Sequence, residues 1–222
     1  DALQAVAGYR RAAEQGHAAA QNYLGAMLLH GQGAPGDAAA ALRWFERSAE
    51  QGHAPAELNL GLALLRGWGP RADAAAAATW MQRAAQRGHP VAMRELARLL
   101  LAGAPGVPAD EPLAARWLAE AARHDEGEAI AMLGMLHANG VGVATDARGA
   151  CELFRQAADL GVALGEFGLG ACYAEGDGLP RDEAVARSWL QKAAERGLLI
   201  AQEQLARLYA SGRGGGVDLA AA

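Results

Sequence analysis

The chain has 222 residues, of which 52% are hydrophobic and 20% are charged, and this balance excludes an intrinsically disordered protein. The formal net charge is −5 and no basic patch is visible, which argues against a nucleic-acid-binding protein. No apolar stretch approaches the roughly 20 residues of a membrane-spanning helix.

A repeat begins near the start of the chain and runs to its end. AAEQGH at 12–17 returns as SAEQGH at 48–53 and as AAQRGH at 84–89. A leucine followed by glycine or alanine recurs every 36 or 37 residues, and an aromatic position and a pair of small residues recur in register with it. The leucines are Leu24, Leu60, Leu96, Leu133, Leu169 and Leu205, and the aromatic position holds Trp44, Trp80, Trp117, Leu153 and Trp189. Self-similarity at this period is typical of helical repeat proteins.

These anchors predict one repeat domain over 1–222, in which each full repeat forms two helices. The predicted boundaries are a half repeat at 1–17, full repeats at 18–53, 54–89, 90–126, 127–162 and 163–198, and a partial repeat at 199–222. The apolar stripe of the first helix is exemplified by Ala20, Leu24 and Leu28, spaced four residues apart. The last residues, VDLAAA at 217–222, are predicted to open a further second helix.

Glycines and aspartates mark the predicted helix ends. A glycine such as Gly31 ends each first helix, and an aspartate such as Asp37 caps the second helix six or seven residues later. The second helix ends at another glycine such as Gly52, for which Asp125 substitutes in repeat 90–126. The histidine of QGH then begins the next first helix, so its recurrence marks a place in the repeat.

The residues inside the helices predict how the repeats pack. Gly25, Gly61, Gly134 and Gly170 lie within first helices, where glycine costs about 1 kcal/mol relative to alanine. Their presence therefore predicts a close approach between helix backbones. The periodic tryptophans are predicted to fill the core between repeats.

The full pattern resembles the Sel-1-like repeat (SLR) family, a relative of the tetratricopeptide repeats. The stretches LGMLHANGVGVATDARGACELFRQAADLG at 133–161 and LGACYAEGDGLPRDEAVARSWLQKAAERG at 169–197 carry this resemblance most closely. The resemblance implies an all-α fold, a right-handed α/α superhelix (solenoid) with a concave inner face.

The resemblance also implies a function as a protein–protein interaction scaffold. We expect a peptide or partner protein on the concave face, in a bacterial signalling or cell-envelope complex. Bacterial members are often periplasmic or secreted, which favours that location. The motif residues are architectural, so no catalytic, cofactor-binding or metal-binding residue is predicted, and an enzyme is not expected. Two alternatives remain, a hydrolase of cell-wall or β-lactam-like substrates and a passive spacer of a larger protein, and the oligomeric state is left open.

Two motifs suggest chemistry that their context does not support. GQGAPG at 31–36 satisfies the dinucleotide-binding pattern GxGxxG, but it follows a predicted helix rather than a strand. His17, His53 and His89 recur one repeat apart, so we expect no common metal site, and the turn at His124 lacks the paired ligand spacing of a zinc site.

Cys151 and Cys172 lie on consecutive predicted helices, which antiparallel packing could bring level. Cysteine-rich members of the family bridge their helices in every repeat, whereas this chain could form at most one bridge. Buried free cysteines are therefore the favoured interpretation, and a disulfide is the alternative.

A candidate binding face is predicted at the most variable positions of the first helices. These positions are the residue two before the leucine anchor and the residues four and seven after that one. It comprises Asn22, Leu58, Leu62, Leu65, Arg94, Arg98, Met135, Phe167, Glu203 and Arg207. Its apolar strip beside two arginines would suit a peptide with apolar and acidic side chains. Trp68, in the turn after a first helix, is an additional candidate anchor. The alternative is that these side chains pack between helices or against their own repeat.

Overall fold

A computed structural model describes residues 2–68 and 72–211, and the regular secondary structure of these ranges is helical. The helices are α1 (Ala2–Glu14), α2 (Ala18–His30), α3 (Ala38–Glu50), α4 (Ala54–Leu65), α5 (Ala74–Gln86), α6 (Pro90–Ala102), α7 (Glu111–Ala122), α8 (Gly127–Asn139), α9 (Ala147–Asp159), α10 (Ala163–Glu175), α11 (Glu183–Glu195) and α12 (Leu199–Ser211). The predicted all-α fold of tandem helix pairs is thus confirmed. None of the described helices is both long and apolar enough to cross a membrane.

The helices fall into two compact units, which we call unit 1 (Asp1–Asp110) and unit 2 (Glu111–Ala222). In unit 1 each of the helices α1–α5 packs against the next one in sequence. In unit 2 the same is true of α7–α11, and α8 also contacts α10. Helices with even numbers are the first helices of the repeats, and those with odd numbers are the second helices.

The predicted helix ends are largely confirmed. The carboxylate of Asp37 accepts a hydrogen bond from the Ala40 backbone N–H at 2.8 Å, and Asp73, Asp146 and Asp182 cap their helices in the same way. Gly31 ends α2 in the left-handed conformation, with φ of 65°. Asp125 has φ of 54° and is the one non-glycine residue with positive φ in the described chain, as its place in the repeat predicted. The helix predicted at 217–222 lies outside the described residues.

Close packing at the helical glycines is confirmed as well. A Cβ atom on Gly25 would lie 2.8 Å from the ring of Phe45 and 3.1 Å from the carbonyl oxygen of Ala41. A Cβ atom on Gly134 would lie 2.9 Å from Phe154 in unit 2. All three distances are shorter than van der Waals contact, so glycine is what lets the second helix of the repeat approach.

The prediction for the tryptophans is confirmed only in part: Trp44 and Trp80 pack against the unit 1 core and Trp189 against a unit 2 cluster, but they do not fill the interior. Trp44, Trp80, Trp117 and Trp189 are only half-buried. The deeply buried position is the next one along the helix, occupied by Phe45, Met81, Leu118, Phe154 and Leu190. A helix turns by about 100° per residue, so this next residue points into the core while the indole lies at its edge.

The favoured interpretation of the cysteines is also wrong. Cys151 of α9 and Cys172 of α10 are buried, as predicted, but they form a disulfide across the packed helices, with their Cα atoms 6.1 Å apart. The hinge between α9 and α10 brings the two positions level, and a Cα separation of this size is what a disulfide spans.

Candidate interaction surfaces

Two buried carboxylates are the most unusual charged groups of the molecule. Glu57 on α4 is 0% exposed and Glu166 on α10 is 2% exposed. The Nε atom of Arg87 lies 3.2 Å from a carboxylate oxygen of Glu57, and Arg196 Nε donates to both oxygens of Glu166 at 3.0 Å. Each pair links the start of the first helix to the end of the second helix of the same repeat. These carboxylates therefore act as structural ties between the two helices of a repeat.

Sequence reasoning missed these ties, although a signal exists. Glutamate stands at the fourth residue of two first helices, with an arginine 30 residues later in both cases. Gln21 stands at the same place in α2, and its side chain accepts a hydrogen bond from Gln51 at 2.7 Å.

Two residues of the predicted binding face, Asn22 and Leu58, are buried in the structure. Asn22 is 7% exposed and Leu58 is 6% exposed. Asn59 Nδ2 donates to Asn22 Oδ1 at 2.8 Å and so joins α2 to α4. The prediction that both residues face away from the core is wrong, because neighbouring first helices pack along this line.

The other unit 1 candidates remain at the surface. Leu62 and Leu65 on α4 are half-buried. Trp68 is half-buried too, and it packs against the unit 1 core with the Arg66 guanidinium 5.0 Å from its ring. Its packing is therefore that of a covered side chain, which was the alternative to a free anchor.

The two arginines of the predicted face share one carboxylate. Arg94 lies 3.0 Å from Glu95, and Arg98 lies 3.6 Å from the other oxygen of Glu95. Arg98 is the outer member, with 62% of its side chain exposed. The face therefore keeps a positive charge at Arg98, although a weaker one than the sequence suggested.

The unit 2 candidates expose less apolar surface than expected. Met135 on α8 is 42% exposed. Phe167 packs against a cluster around Leu190, and Arg207 donates to Glu203 at 2.6 Å on α12. Of the two apolar candidates in unit 2, Met135 and Phe167, Met135 is thus the one that is open to solvent.

A pair of tyrosines in unit 1 forms an open apolar groove that sequence reasoning missed. Tyr23 on α2 is 54% exposed, Tyr9 on α1 is 36% exposed, and their ring centroids are 5.3 Å apart. The groove has a volume of about 580 Å³, and its walls include Ala5, Ala12 and Ala19. In repeat register Tyr9 corresponds to Phe45, which is 1% exposed because α2 covers it with Gly25. Among the described residues, no first helix covers Tyr9 in the way that α2 covers Phe45.

The hinge histidines lie at the N-caps of α2, α4 and α6. His89 Nδ1 accepts a hydrogen bond from the Ala92 backbone N–H at 3.3 Å. Burial lowers the pKa of His53, and repulsion by His17 adds to this effect, although Glu57 opposes it. Burial also lowers the pKa of His89, with a smaller contribution from His53. Within the described ranges, no group of three or more histidine, cysteine or acidic side chains could hold a metal ion.

Comparison with known proteins gives a consistent result. The Sel1 repeat model matches residues 1–17, 18–53, 54–89, 90–126, 127–162, 163–198 and 199–222. No curated protein matches the chain.

Several solved structures are similar to this one. A protective antigen of uropathogenic Escherichia coli with an SLR fold is 33% identical with a TM-score of 0.87, over 97% of this chain and 46% of the antigen. A Sel1 repeat protein of Oxalobacter formigenes is 31% identical with a TM-score of 0.83, over 88% of this chain and 77% of that protein. A Sel1 repeat protein of Klebsiella pneumoniae is 26% identical with a TM-score of 0.57, over 91% and 98% of the two chains. The chain thus spans less than half the length of the E. coli antigen.

Proposed function

The chain belongs to the Sel1 repeat family, whose members are generally protein-interaction scaffolds, and we propose that it binds a helix of a partner protein on its first-helix side in unit 1. The proposed complex belongs to bacterial signalling or to the cell envelope.

The tyrosine groove carries this proposal. Tyr9 and Tyr23 present two large rings to solvent in a concave apolar surface, and aromatic side chains of this kind anchor protein interfaces. In the next repeat the place of Tyr9 is held by Phe45, against which α2 packs through Gly25. By analogy, the bound segment would be an amphipathic helix with a glycine or alanine where it crosses Tyr9.

Two further features of unit 1 support a partner with apolar and acidic side chains. Leu62 on the next first helix, α4, offers partly open apolar surface, and Arg98 on α6 offers an exposed positive charge. An acidic residue of the partner near Arg98 would gain electrostatic attraction and orient the complex.

The disulfide supports the cell-envelope assignment. Disulfides persist in oxidising compartments such as the bacterial periplasm and are rare in the reducing cytosol. The link between Cys151 and Cys172 is therefore typical of a protein that works outside the cytosol.

The proposal is tested by affinity capture from envelope and soluble fractions of a bacterial host. Wild-type protein is compared with Tyr23→Asp, which places a charge in the groove, and with Glu46→Ala on the exposed side of α3 as the control. We expect a partner that wild type and Glu46→Ala retain and that Tyr23→Asp loses. A partner captured equally by all three proteins would move the site away from the groove, and no partner in any fraction would favour the passive-spacer alternative.

A further inference from the structure

Unit 1 contains a second pocket whose chemistry differs from that of the tyrosine groove. It has a volume of about 840 Å³ and is bounded by α1, the turn between α2 and α3, and the first half of α3. Arg10, Arg43 and Arg47 line it together with Trp44, and Asp37 is its one acidic side chain. The size falls within the range of ligand-binding pockets.

The three arginines have no carboxylate partner among the residues that the structure describes. Elsewhere Arg87, Arg98 and Arg196 lie 3.0–3.6 Å from glutamate oxygens. Asp37 does not neutralise the pocket alone, because its carboxylate accepts the hydrogen bond from Ala40 that caps α3. A chain with a net charge of −5 thus concentrates three positive charges in one concavity.

The spacing of the arginines makes this arrangement unfavourable in the absence of an anion. Arg43 and Arg47 are four residues apart on α3, so they lie on one face of the helix, where like charges repel. The Arg47 guanidinium lies 4.9 Å from the centre of the Trp44 ring, a distance at which a cation and an aromatic ring attract each other. A guanidinium that stacks on an indole still has N–H groups at its edge, and these match the two oxygens of a carboxylate.

The repeat architecture does not require this set of charges. In the next repeat the places of Arg10 and Arg43 are held by Glu46 and Thr79. The place of Arg47 is held by Arg83, which stacks on Trp80 but also lies 3.6 Å from buried Glu57. The stacked tryptophan and cation are therefore common to both repeats, whereas three unpaired arginines are particular to this pocket.

We propose that this pocket binds an acidic segment of a partner protein, whose carboxylates pair with Arg10, Arg43 and Arg47. The remaining wall, which includes Leu28 and Pro35, is apolar. A bare inorganic anion would leave this wall uncovered, whereas a peptide with an apolar side chain beside its acidic residues would cover it. The site is separate from the tyrosine groove and does not depend on the function proposed there.

Fluorescence anisotropy with labelled peptides tests the proposal. The probes are short peptides of mixed glutamate, aspartate, leucine and alanine, together with control peptides in which glutamine and asparagine replace the acidic residues. The variant is Arg43→Gln/Arg47→Gln, and the control is Arg116→Gln, an exposed residue of α7 in the repeat register of Arg43.

We expect the acidic peptides to bind wild type and Arg116→Gln alike, and the double variant about tenfold or more weakly. Raising the salt from about 0.05 M to about 0.5 M should weaken the wild-type complex strongly, since screening lengths shrink over this range. The melting temperature of the double variant should be unchanged or higher, because the substitutions remove a like-charge contact. If it falls instead, Arg10→Gln on α1 tests the same pocket without altering α3.

Three results would overturn the proposal. The first is the absence of binding by any acidic peptide, and the second is equal binding of the acidic and neutral peptides or of wild type and the double variant. The third is displacement of the peptide by inorganic phosphate at equal concentration, which would indicate a site for small anions.

Discussion

Unit 1 and unit 2 fill one place in the repeat with the same three kinds of side chain in a different order. At the fourth residue of the first helix, unit 1 has Gln21, hydrogen-bonded to Gln51, then Glu57, paired with Arg87, and then the buried Met93. Unit 2 has Ile130, which packs in an apolar cluster, then Glu166, paired with Arg196, and then Gln202, which donates to the Ala194 carbonyl oxygen. The place is therefore filled in both units, and it accepts an amide, an ion pair or an apolar contact.

The two units differ in two other features, a disulfide and a set of hinge histidines, each of which only one unit contains. Unit 2 has the disulfide between α9 and α10, whereas the sequence of unit 1 has no cysteine. Unit 1 begins its first helices with His17, His53 and His89, and the equivalent places in unit 2 are Glu126, Val162 and Leu198. The same repeat backbone thus carries a disulfide in unit 2 and histidines at the N-caps of the first helices in unit 1.

Removal of a leucine anchor should have the largest effect and should be similar in the two units. Leu60 is 1% exposed and Leu133 is 7% exposed, so either substitution to alanine leaves a cavity that costs about 2–5 kcal/mol of unfolding free energy. Hydrogen exchange should show lost protection first in α4 and α5 for Leu60→Ala and in α8 and α9 for Leu133→Ala. Leu199→Ala, at a position 78% exposed, is the control and should change stability by less than about 0.5 kcal/mol. Unchanged melting curves for both anchors would refute the repeat register.

Loss of the disulfide should destabilise unit 2 alone. The bond closes a loop with a sequence separation of 21, for which chain entropy predicts a stabilisation of about 3 kcal/mol. Cys151→Ser/Cys172→Ser should therefore unfold at lower denaturant concentration, and hydrogen exchange should place the loss around α9 and α10. Reductant should lower the stability of wild type and leave the double variant unchanged. An equal response of both proteins to reductant would contradict the presence of the bond.

Removal of the arginine partner should cost more in unit 2 than in unit 1. Arg196→Ala leaves the carboxylate of Glu166 buried without its ion pair, at a cost of about 1.5–3 kcal/mol. Arg87→Ala should cost less, because Arg83 still lies 3.6 Å from Glu57. Urea unfolding of the two variants measures the difference, and Arg123→Ala, which removes an exposed ion pair, is the control. A larger loss for Arg87→Ala than for Arg196→Ala would reverse this interpretation of the ties.

Acid should weaken unit 1 through its hinge, with the smallest effect of the four. The pKa values of His53 and His89 lie below their usual value of 6.5 in the folded state, because burial disfavours the charged imidazole. Between 6.5 and those lowered values the unfolded chain binds more protons, so stability is full above pH 6.5 and falls as the pH drops through this window. His53→Gln/His89→Gln should reduce the loss of unfolding free energy between about pH 7.5 and pH 5.5. The same loss in variant and wild type would show that other groups cause it.

Much of the fold could be predicted because the same core, capping and turn residues recur in each copy of the repeat. The leucine anchors, the capping aspartates and the glycines at helix ends each recur every 36 or 37 residues. The aspartates and glycines satisfy the backbone at helix ends, and the leucines pack in the core. Even the exception, Asp125 in place of glycine, was predictable from its position, since aspartate tolerates positive φ.

The candidate site was harder to predict, because helical periodicity identifies a face but not what covers it. Asn22 and Leu58 lie on the variable face, yet contact between α2 and α4 buries them, whereas Tyr23 is open because none of the described helices covers it. The disulfide depends on a distance across two helices, which a spacing of 21 residues does not determine. Ion pairs such as Glu57 with Arg87 depend on side-chain reach between helices, which the repeat pattern reveals only as a correlation between two of its copies.

The most direct test of the account is a photo-crosslinking experiment with benzoylphenylalanine at position 23, in the tyrosine groove, and at position 46, on the exposed side of α3, as the control. We predict an adduct with a second protein at position 23, mapped by mass spectrometry to a helix with a small residue at the contact, and no such adduct at position 46. Adducts only with another part of the same polypeptide, or the same adducts from both positions, would contradict the claim that the groove receives a partner.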